Sequence, residues 1–226
     1  FFHLFGARLF GVRIRILREM PEGRPLLLVA NHTSWSDIVV LSETGQVSFI
    51  AESEVKSWPV FGFFAVLQRT VFVERERRGK TGEQTSDIAR RLADGDAMVL
   101  FPEGTTSDGN RVLPFKTALF GAAHAAIREA GVPEVIVQPV AIAYTGVHGM
   151  AMGRYHRPIA SWPGDVQLMP HLKGILREGA IDVEVRFGEP IVVTADTDRK
   201  ALARTMENRV RAQLQSSLLG REVAED

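Results

Sequence analysis

A histidine and an aspartate interrupt the apolar pattern near the amino terminus, where residues 30–37 read ANHTSWSD. His32 is one of six histidines in the protein, and Asp37 follows it after five residues. A carboxylate bound to one ring nitrogen fixes the tautomer of a histidine and leaves the other nitrogen free to act as a base. Five residues of regular helix cover about 500° of rotation, so the two side chains meet only across a turn. The spacing predicts a histidine base at a strand-to-helix turn.

Asp37 also fits a purely structural role. Ser34 and Asp37 are spaced almost as in a capping box, where a hydroxyl and a carboxylate accept the free amides of a first helical turn. Such a cap needs no chemistry. From this segment alone, both interpretations of Asp37 stay open.

The sequence offers no nucleophile of its own for this base. It has no cysteine and no Gly-x-Ser-x-Gly elbow, so a covalent acyl-enzyme is not expected. The base would instead activate a hydroxyl group of the substrate. His148, His156 and His171 are too scattered to predict a metal site, and we expect none. His124, on the Ala-rich helix, is expected to be a packed or surface histidine.

Two further stretches place polar residues directly after an apolar strand. Residues 101–110 read FPEGTTSDGN, a loop in which Glu103 and backbone amides can meet a polar ligand. Residues 71–75 read VFVER, and Arg75 offers a planar fork to an anion. The alternatives are an ordinary loop for the first stretch and a solvated loop for the second. Lys116, at the start of an Ala-rich helix, is most simply a surface residue.

The pattern of the chain predicts one α/β domain, with a mixed, mostly parallel sheet and helices on both faces. Val12–Ile16 alternates strictly, as a half-buried strand does. We expect further strands near residues 25–30, 46–51, 70–74, 97–101, 134–143 and 181–187. We expect helices near residues 36–44, 54–67, 82–94, 115–130, 165–178 and 196–219. The predicted division is a membrane-proximal helix at 1–11, a catalytic core at 12–195 and a C-terminal helix at 196–226.

Composition argues against nucleic acid and leaves a membrane surface open. Lys and Arg balance Asp and Glu at 27 each, so no net field favours a polyanion. No apolar run reaches the roughly 18 to 20 residues that span a bilayer. The aromatic residues of 1–10 and the segment 58–67 (WPVFGFFAVL) fit either interfacial helices or helices packed in the domain. The chain begins with Phe, and an anchoring segment outside this sequence is compatible with that start.

Four blocks, in this order, resemble those of the glycerolipid acyltransferase family, which includes the 1-acylglycerol-3-phosphate acyltransferases. They are His32-x4-Asp37 preceded by Asn31, then Val71–Arg75, Phe101–Thr105 and Val137–Val140. The resemblance covers roughly residues 10 to 190.

The resemblance implies an enzyme that acylates a lysolipid. His32 would take the proton from the lysolipid hydroxyl, with Asp37 orienting it, and the hydroxyl would attack a thioester of coenzyme A or acyl carrier protein. Arg75, Glu103, Gly104 and Thr105 would bind the polar head of the acceptor, and Lys116 would be a further anion contact. No cofactor is implied. The expected location is the cytoplasmic face of the inner membrane, peripheral or anchored by a segment outside this chain.

Three positions depart from the pattern of the family. Glu74 stands where Asp is usual, Arg69 where Gly is usual, and Thr106 where Arg is usual. Losing that arginine removes a phosphate partner. Residues 103–110, with Trp162–Asp165 and His171–Leu172, are more similar to the bacterial subgroup that esterifies lyso-aminolipids such as lyso-ornithine lipid. A non-catalytic lipid-binding module and a thioester or lipid hydrolase are the alternative functions.

Overall fold

The computed structural model describes residues 7, 10–52, 70–73, 81–129, 131–164 and 166–221. Its strands are β1 (Val12–Leu17), β2 (Leu26–Ala30), β3 (Ser48–Glu52), β4 (Val71–Val73), β5 (Ala97–Leu100), β6 (Val135–Val147), β7 (Met150–Ala151), β8 (Ile181–Phe187) and β9 (Ile191–Val193). Its α-helices are α1 (Ser36–Ser42), α2 (Thr81–Ala93), α3 (Gly121–Glu129), α4 (Leu168–Glu178) and α5 (Arg199–Leu219). Short 3-10 helices occupy Thr117–Phe120 and Arg157–Ile159.

The strands of the described chain form one mixed sheet in the order β1-β8-β6-β2-β5-β3-β4, with β7 and β9 also paired to β6. β2 lies between β5 and β6 and runs parallel to both. β6 pairs antiparallel with β7, β8 and β9, so these three strands run opposite to β6. The predicted mixed, mostly parallel sheet is confirmed.

Helices cover both faces of this sheet, as predicted. All five residues of β2 are buried, and they alternate between the two faces because strand side chains have a period of two. Leu27 and Val29 pack in the core that α2, α3 and α5 complete. Leu26, Leu28 and Ala30 pack in the other core, with α1 and α4. The end of β2 is therefore held from every side, which suits it to carry a precise site.

Several element boundaries differ from the predicted ones. The helix expected at 115–130 is a 3-10 turn followed by α3, and the helix expected at 165–178 begins at Leu168. The last helix begins at Arg199 instead of 196, because the Asp198 side chain caps it by accepting the Lys200 amide at 2.8 Å. The strand expected at 134–143 continues to Val147, since its pairing with β8 continues past a register shift. The short strands β7 and β9 were not predicted.

Some predictions fall on parts of the chain outside the described residues. These are most of the helix at 1–11, the helix at 54–67 with its apolar segment 58–67, and the positions of Arg69, Glu74 and Arg75. The division into 1–11, 12–195 and 196–226 likewise stays a prediction. Among the helices that are described, none is long and apolar enough to cross a membrane.

Candidate active site

His32 and Asp37 meet at the turn between β2 and α1. The His32 Nδ1 atom lies 2.9 Å from the Asp37 Oδ2 atom. Asp37 has a side chain that is fully buried, whereas 20% of the His32 side chain is exposed. The turn thus brings together two groups that a regular helix would separate, as the spacing predicted.

The Asp37 carboxylate is surrounded by donors. Its Oδ2 atom also accepts the main-chain amides of Thr33, at 2.6 Å, and Ser34, at 2.9 Å. Its Oδ1 atom accepts the Tyr144 hydroxyl at 2.8 Å. Asp37 therefore caps the turn and binds His32 at once, so its contacts fit both interpretations.

This arrangement sets the tautomer of His32. An ionised carboxylate only accepts hydrogen bonds, so the ring proton sits on Nδ1 and Nε2 carries a free lone pair. No described residue forms a hydrogen bond with Nε2. The ring stacks on Phe101, with centroids 4.1 Å apart and planes inclined by 17°. The His32 ring is thus held on one side by Asp37 and on its face by Phe101, with 20% of the side chain exposed.

Main-chain contacts fix the turn itself from three directions. The Asn31 side chain donates to the Ile142 carbonyl at 3.0 Å and accepts the Ile142 amide at 2.8 Å, so it clamps β2 to β6. The carbonyl of His32 accepts the Ser107 amide at 2.8 Å, and that of Thr33 accepts the Trp162 amide at 2.9 Å. These bonds tie the turn to the loop after β5 and to the segment before α4.

Glu103, in the loop after β5, is hydrogen-bonded to the same turn. Its Oε1 atom accepts the His32 amide at 3.0 Å, and its Oε2 atom accepts the Leu113 amide at 3.1 Å. Only 2% of the residue is exposed. Burial raises the pKa of Glu103 to about 8, although the two backbone hydrogen bonds act to lower it. Both oxygens are occupied, so Glu103 acts on the site through the backbone of His32.

Gly104, Thr105 and Lys116 form the solvent-exposed side of this loop, which we call its open side. Gly104 has a φ of +65°, and a Cβ at this position would lie 2.6 Å from the Lys116 Nζ atom. The absence of a side chain lets the lysine ammonium lie against the loop. Lys116 and Thr105 are exposed, and within the described ranges Lys116 pairs with no carboxylate. A positive charge is therefore available beside the His32 turn.

Thr106 is used inside the loop. Its hydroxyl donates to the Trp162 carbonyl at 2.5 Å, and the Trp162 amide in turn reaches Thr33. Position 106, where the family usually has an arginine, therefore serves to join three segments. It brings no charge to the open side of the site.

Comparison with known proteins places this geometry in a family. Residues 11–143 match the family model described as Acyltransferase. The chain belongs to the acyltransferase family. The acyltransferase activity and the role in lipid synthesis that the four blocks predicted are confirmed by the family match and by the relatives below.

Curated relatives of this acyltransferase share nearly the whole chain. A lyso-ornithine lipid O-acyltransferase of Brucella abortus is 82% identical over 225 residues, which is 100% of this chain and 84% of the relative. A lyso-ornithine lipid O-acyltransferase of Rhizobium meliloti is 56% identical, over 97% of this chain and 75% of the relative. The crystal structure of a 1-acyl-sn-glycerophosphate acyltransferase from Thermotoga maritima covers 99% of this chain and 80% of its own, with a TM-score of 0.67 and 23% identity. That last likeness supports the fold alone.

The acyltransferase site brings together most of the residues chosen from sequence. His32, Asp37, Glu103, Gly104 and Lys116 are joined by the contacts above, and Thr105 lies on the exposed part of the same loop. Arg75 lies outside the described residues. The roles assigned to these residues stay predictions.

Sequence reasoning missed Tyr144 and Ser36. Tyr144 is the only aromatic residue of β6 and is 2% exposed. Burial and the Asp37 charge raise the pKa of its phenol well above its ordinary value. A phenol within a mostly apolar strand was the available signal, because a buried hydroxyl requires a partner.

The other described histidines have separate partners. His171 accepts the Trp35 indole N–H at 3.0 Å, His124 lies 2.8 Å from the Thr197 carbonyl, and His148 lies 2.8 Å from Glu178. In the described part of the chain, no group of three or more His, Asp or Glu residues is placed to hold a metal ion. The prediction that the enzyme needs no metal or cofactor stays a prediction.

Proposed function

We propose that this acyltransferase moves a fatty acyl group from a thioester of acyl carrier protein or coenzyme A to the hydroxyl of lyso-ornithine lipid. The observation that carries the proposal is the His32–Asp37 pair, with Nδ1 bound at 2.9 Å and Nε2 open. The acceptor follows from the two relatives named as lyso-ornithine lipid O-acyltransferases, at 82% and 56% identity.

The reaction needs one base and then one acid, and His32 can be both. Nε2 takes the proton of the lysolipid hydroxyl while that oxygen attacks the thioester carbonyl. The C–O bond forms, the C–S bond then breaks, and the thiolate leaves with the proton from Nε2. Asp37 stabilises the imidazolium between these steps. General-base help of this kind contributes about 10² to 10⁴ in rate, so positioning of the two substrates supplies much of the rest.

The acceptor headgroup would lie on the open side of the loop after β5. An amino-acid headgroup offers a carboxylate, and the exposed Lys116 ammonium beside Gly104 is a cation that could pair with it. Thr105 adds an exposed hydroxyl, and Arg75 remains a proposed anion contact. Glu103 would serve acceptor binding by holding this loop to the His32 amide. Thr106, in place of arginine, fits an acceptor without a phosphate monoester.

A membrane surface is the proposed source of the acceptor, at the cytoplasmic face of the inner membrane. Helix α4 packs on the site through His171, which bonds Trp35 of the catalytic turn. Its other side carries Met169, 55% exposed, and Leu176, 49% exposed. Lys173 and Arg177 are exposed beside them. At about 100° per residue these four side chains fall within an arc of roughly 100°. An apolar stripe edged by cations suits the headgroup region of an anionic bilayer.

A transfer assay tests the function. The protein is incubated with labelled acyl thioester and either lyso-ornithine lipid, lysophosphatidate or no acceptor. We expect labelled ornithine lipid in the first arm and little product in the others. Free fatty acid without acceptor would indicate a hydrolase, and no product in any arm would indicate a binding module.

Two histidine variants make the assay specific. His32→Ala removes the base and should abolish transfer while the circular dichroism spectrum is kept. His148→Ala removes a histidine whose side chain is 49% exposed and should keep full activity. Transfer by His32→Ala at the wild-type rate would refute the assigned base.

A further inference from the structure

The second oxygen of Asp37 depends on a single residue from a distant strand. Its Oδ2 atom receives three N–H donors from the turn, namely His32 Nδ1 and the amides of Thr33 and Ser34. Its Oδ1 atom receives the Tyr144 hydroxyl, from β6, and no other donor among the described residues. Among the described residues, the second oxygen is therefore held by one phenol, 107 residues away in sequence.

The positions of two protons follow from this geometry. Ser36 Oγ lies 2.6 Å from the Tyr144 hydroxyl oxygen, and either atom has one proton to give. An ionised carboxylate can only accept, so the phenol proton points to Asp37. Ser36 must then donate to the Tyr144 oxygen. The three groups form a directed chain, Ser36 to Tyr144 to Asp37, in which each bond polarises the next.

The fold holds this chain in a fixed, dry position. Ser36 is 3% exposed, Tyr144 is 2% exposed and Asp37 is 0% exposed. Asn31 binds both main-chain groups of Ile142, two residues before Tyr144 on the same face of β6. The register of β6 with β8 shifts directly after Tyr144. The clamp and the shift place the phenol under the catalytic turn.

We propose that Tyr144, polarised by Ser36, is a positioning residue that locks the Asp37 carboxylate so that its Oδ2 atom holds His32 in the Nδ1–H tautomer. Tyr144 is too deeply buried to touch either substrate, so it acts only through Asp37. This inference rests on the proposed function, because it assigns a role in that reaction.

Loss of the phenol hydroxyl should lower the rate of the chemical step without changing substrate binding. In Tyr144→Phe, Oδ1 becomes a buried acceptor without a donor, and the carboxylate gains freedom to turn toward other donors. A hydrogen bond to a charged group corresponds to about 10- to 100-fold in rate when it is needed in the transition state. We expect kcat to fall by about that factor, with the KM values for thioester and lysolipid unchanged.

The chain offers matched controls for these variants. Its second and only other tyrosine, Tyr155, is 88% exposed, so Tyr155→Phe removes the same atom without effect on kcat. Ser42 is buried on the same helix as Ser36 and bonds the Ile38 carbonyl, so Ser42→Ala controls for Ser36→Ala. Ser36→Ala should lower kcat by roughly two- to threefold, because it only weakens the polarisation of the phenol.

A double-mutant cycle then tests whether Ser36 acts on Asp37 through Tyr144. If Ser36 acts through Tyr144, Ser36→Ala has no further effect on kcat in the Tyr144→Phe background. Effects of the two substitutions that multiply, or a Tyr144→Phe enzyme with wild-type kcat, would overturn the proposal.

A measurement without substrate separates this proposal from the proposed function. In ¹⁵N-labelled protein, the ring nitrogens of His32 are assigned by their absence in His32→Ala. Wild type and Tyr155→Phe should show a single Nδ1–H tautomer, and Tyr144→Phe a mixture with Nε2–H. A single Nδ1–H tautomer in Tyr144→Phe overturns the proposal, whatever the transfer assay gives.

If the Tyr144→Phe protein does not fold, the ¹⁵N spectrum of Ser36→Ala takes its place. Ser36→Ala keeps the phenol in place, so it leaves the packing of β6 intact. It should still show a detectable fraction of the Nε2–H tautomer. A Ser36→Ala spectrum identical to that of wild type would then contradict the proposed hydrogen-bond series from Ser36 through Tyr144 to Asp37.

Discussion

Glu103→Gln should change the pH dependence of folding in a way that identifies the buried carboxyl. Burial raises the pKa of Glu103 from 4.5 to about 8, so the folded state keeps a proton that the unfolded chain releases. The stabilisation from this proton is complete below pH 4.5 and is lost as the pH rises toward 8. At about 1.4 kcal/mol per pKa unit, the loss is on the order of 5 kcal/mol.

Glutamine removes the titration and keeps the shape. One amide oxygen can still accept the His32 amide or the Leu113 amide, but the other N–H loses its acceptor and faces the new NH₂ group. A buried donor left unpaired costs about 1 to 3 kcal/mol. Glu103→Gln should therefore be less stable than wild type near pH 5 by that amount. Its deficit should shrink with rising pH and reverse between about pH 6 and pH 7, because only wild type loses about 1.4 kcal/mol per pH unit in this range.

Urea denaturation at intervals from pH 5 to pH 9 measures this crossing, with fluorescence of the buried Trp35 as the probe. Glu189→Gln is the matched control, because it makes the same change on a side chain that is 74% exposed. It should follow the wild-type profile. Parallel profiles for wild type and Glu103→Gln across the whole range would refute the linkage between burial and proton binding.

Two other substitutions test the open side of the site and the membrane surface. Lys116→Met removes the ammonium at similar length and should raise the KM for lyso-ornithine lipid by about two- to fivefold, with the KM for the thioester unchanged. Steady-state assays with each substrate varied check this, and an unchanged acceptor KM would remove Lys116 from the headgroup site. Replacing Met169 and Leu176 together by Ser should weaken co-flotation with anionic vesicles by about tenfold or more. Val192→Ser, on a residue that is 52% exposed in β9, should float as wild type does, and equal loss in both would refute a specific surface on α4.

Local pattern was enough to predict most of the fold. The alternation of Val12–Ile16 is typical of a strand with one face toward a core. The unbroken apolar run of β2 is typical of a strand that is buried on both faces. Strands alternating with amphipathic helices predicted the layered architecture, because such elements bury their apolar faces only against one another. Boundaries were less well predicted, since a cap such as Asp198 can move a helix start by three residues without changing its apolar pattern.

Residue type and spacing also predicted which groups carry the chemistry. A histidine and an aspartate, in a sequence with no cysteine, favoured base-assisted attack by a hydroxyl of the substrate. The spacing of His32 and Asp37 required a turn between them, and the turn is present. This much follows from the sequence because it depends only on neighbours along the chain.

The tertiary structure alone decided how those groups are held. Tyr144 meets Asp37 because β6 lies beside β2, and Glu103 reaches the His32 amide because the loop after β5 packs against the turn between β2 and α1. The partners in these contacts are 107 and 71 residues apart in sequence. A hydrogen bond over such a separation depends on strand order and register, which side-chain periodicity does not specify. The sequence thus predicted the candidate reacting groups, whereas the packing of the sheet decided their hydrogen-bond partners and their orientation.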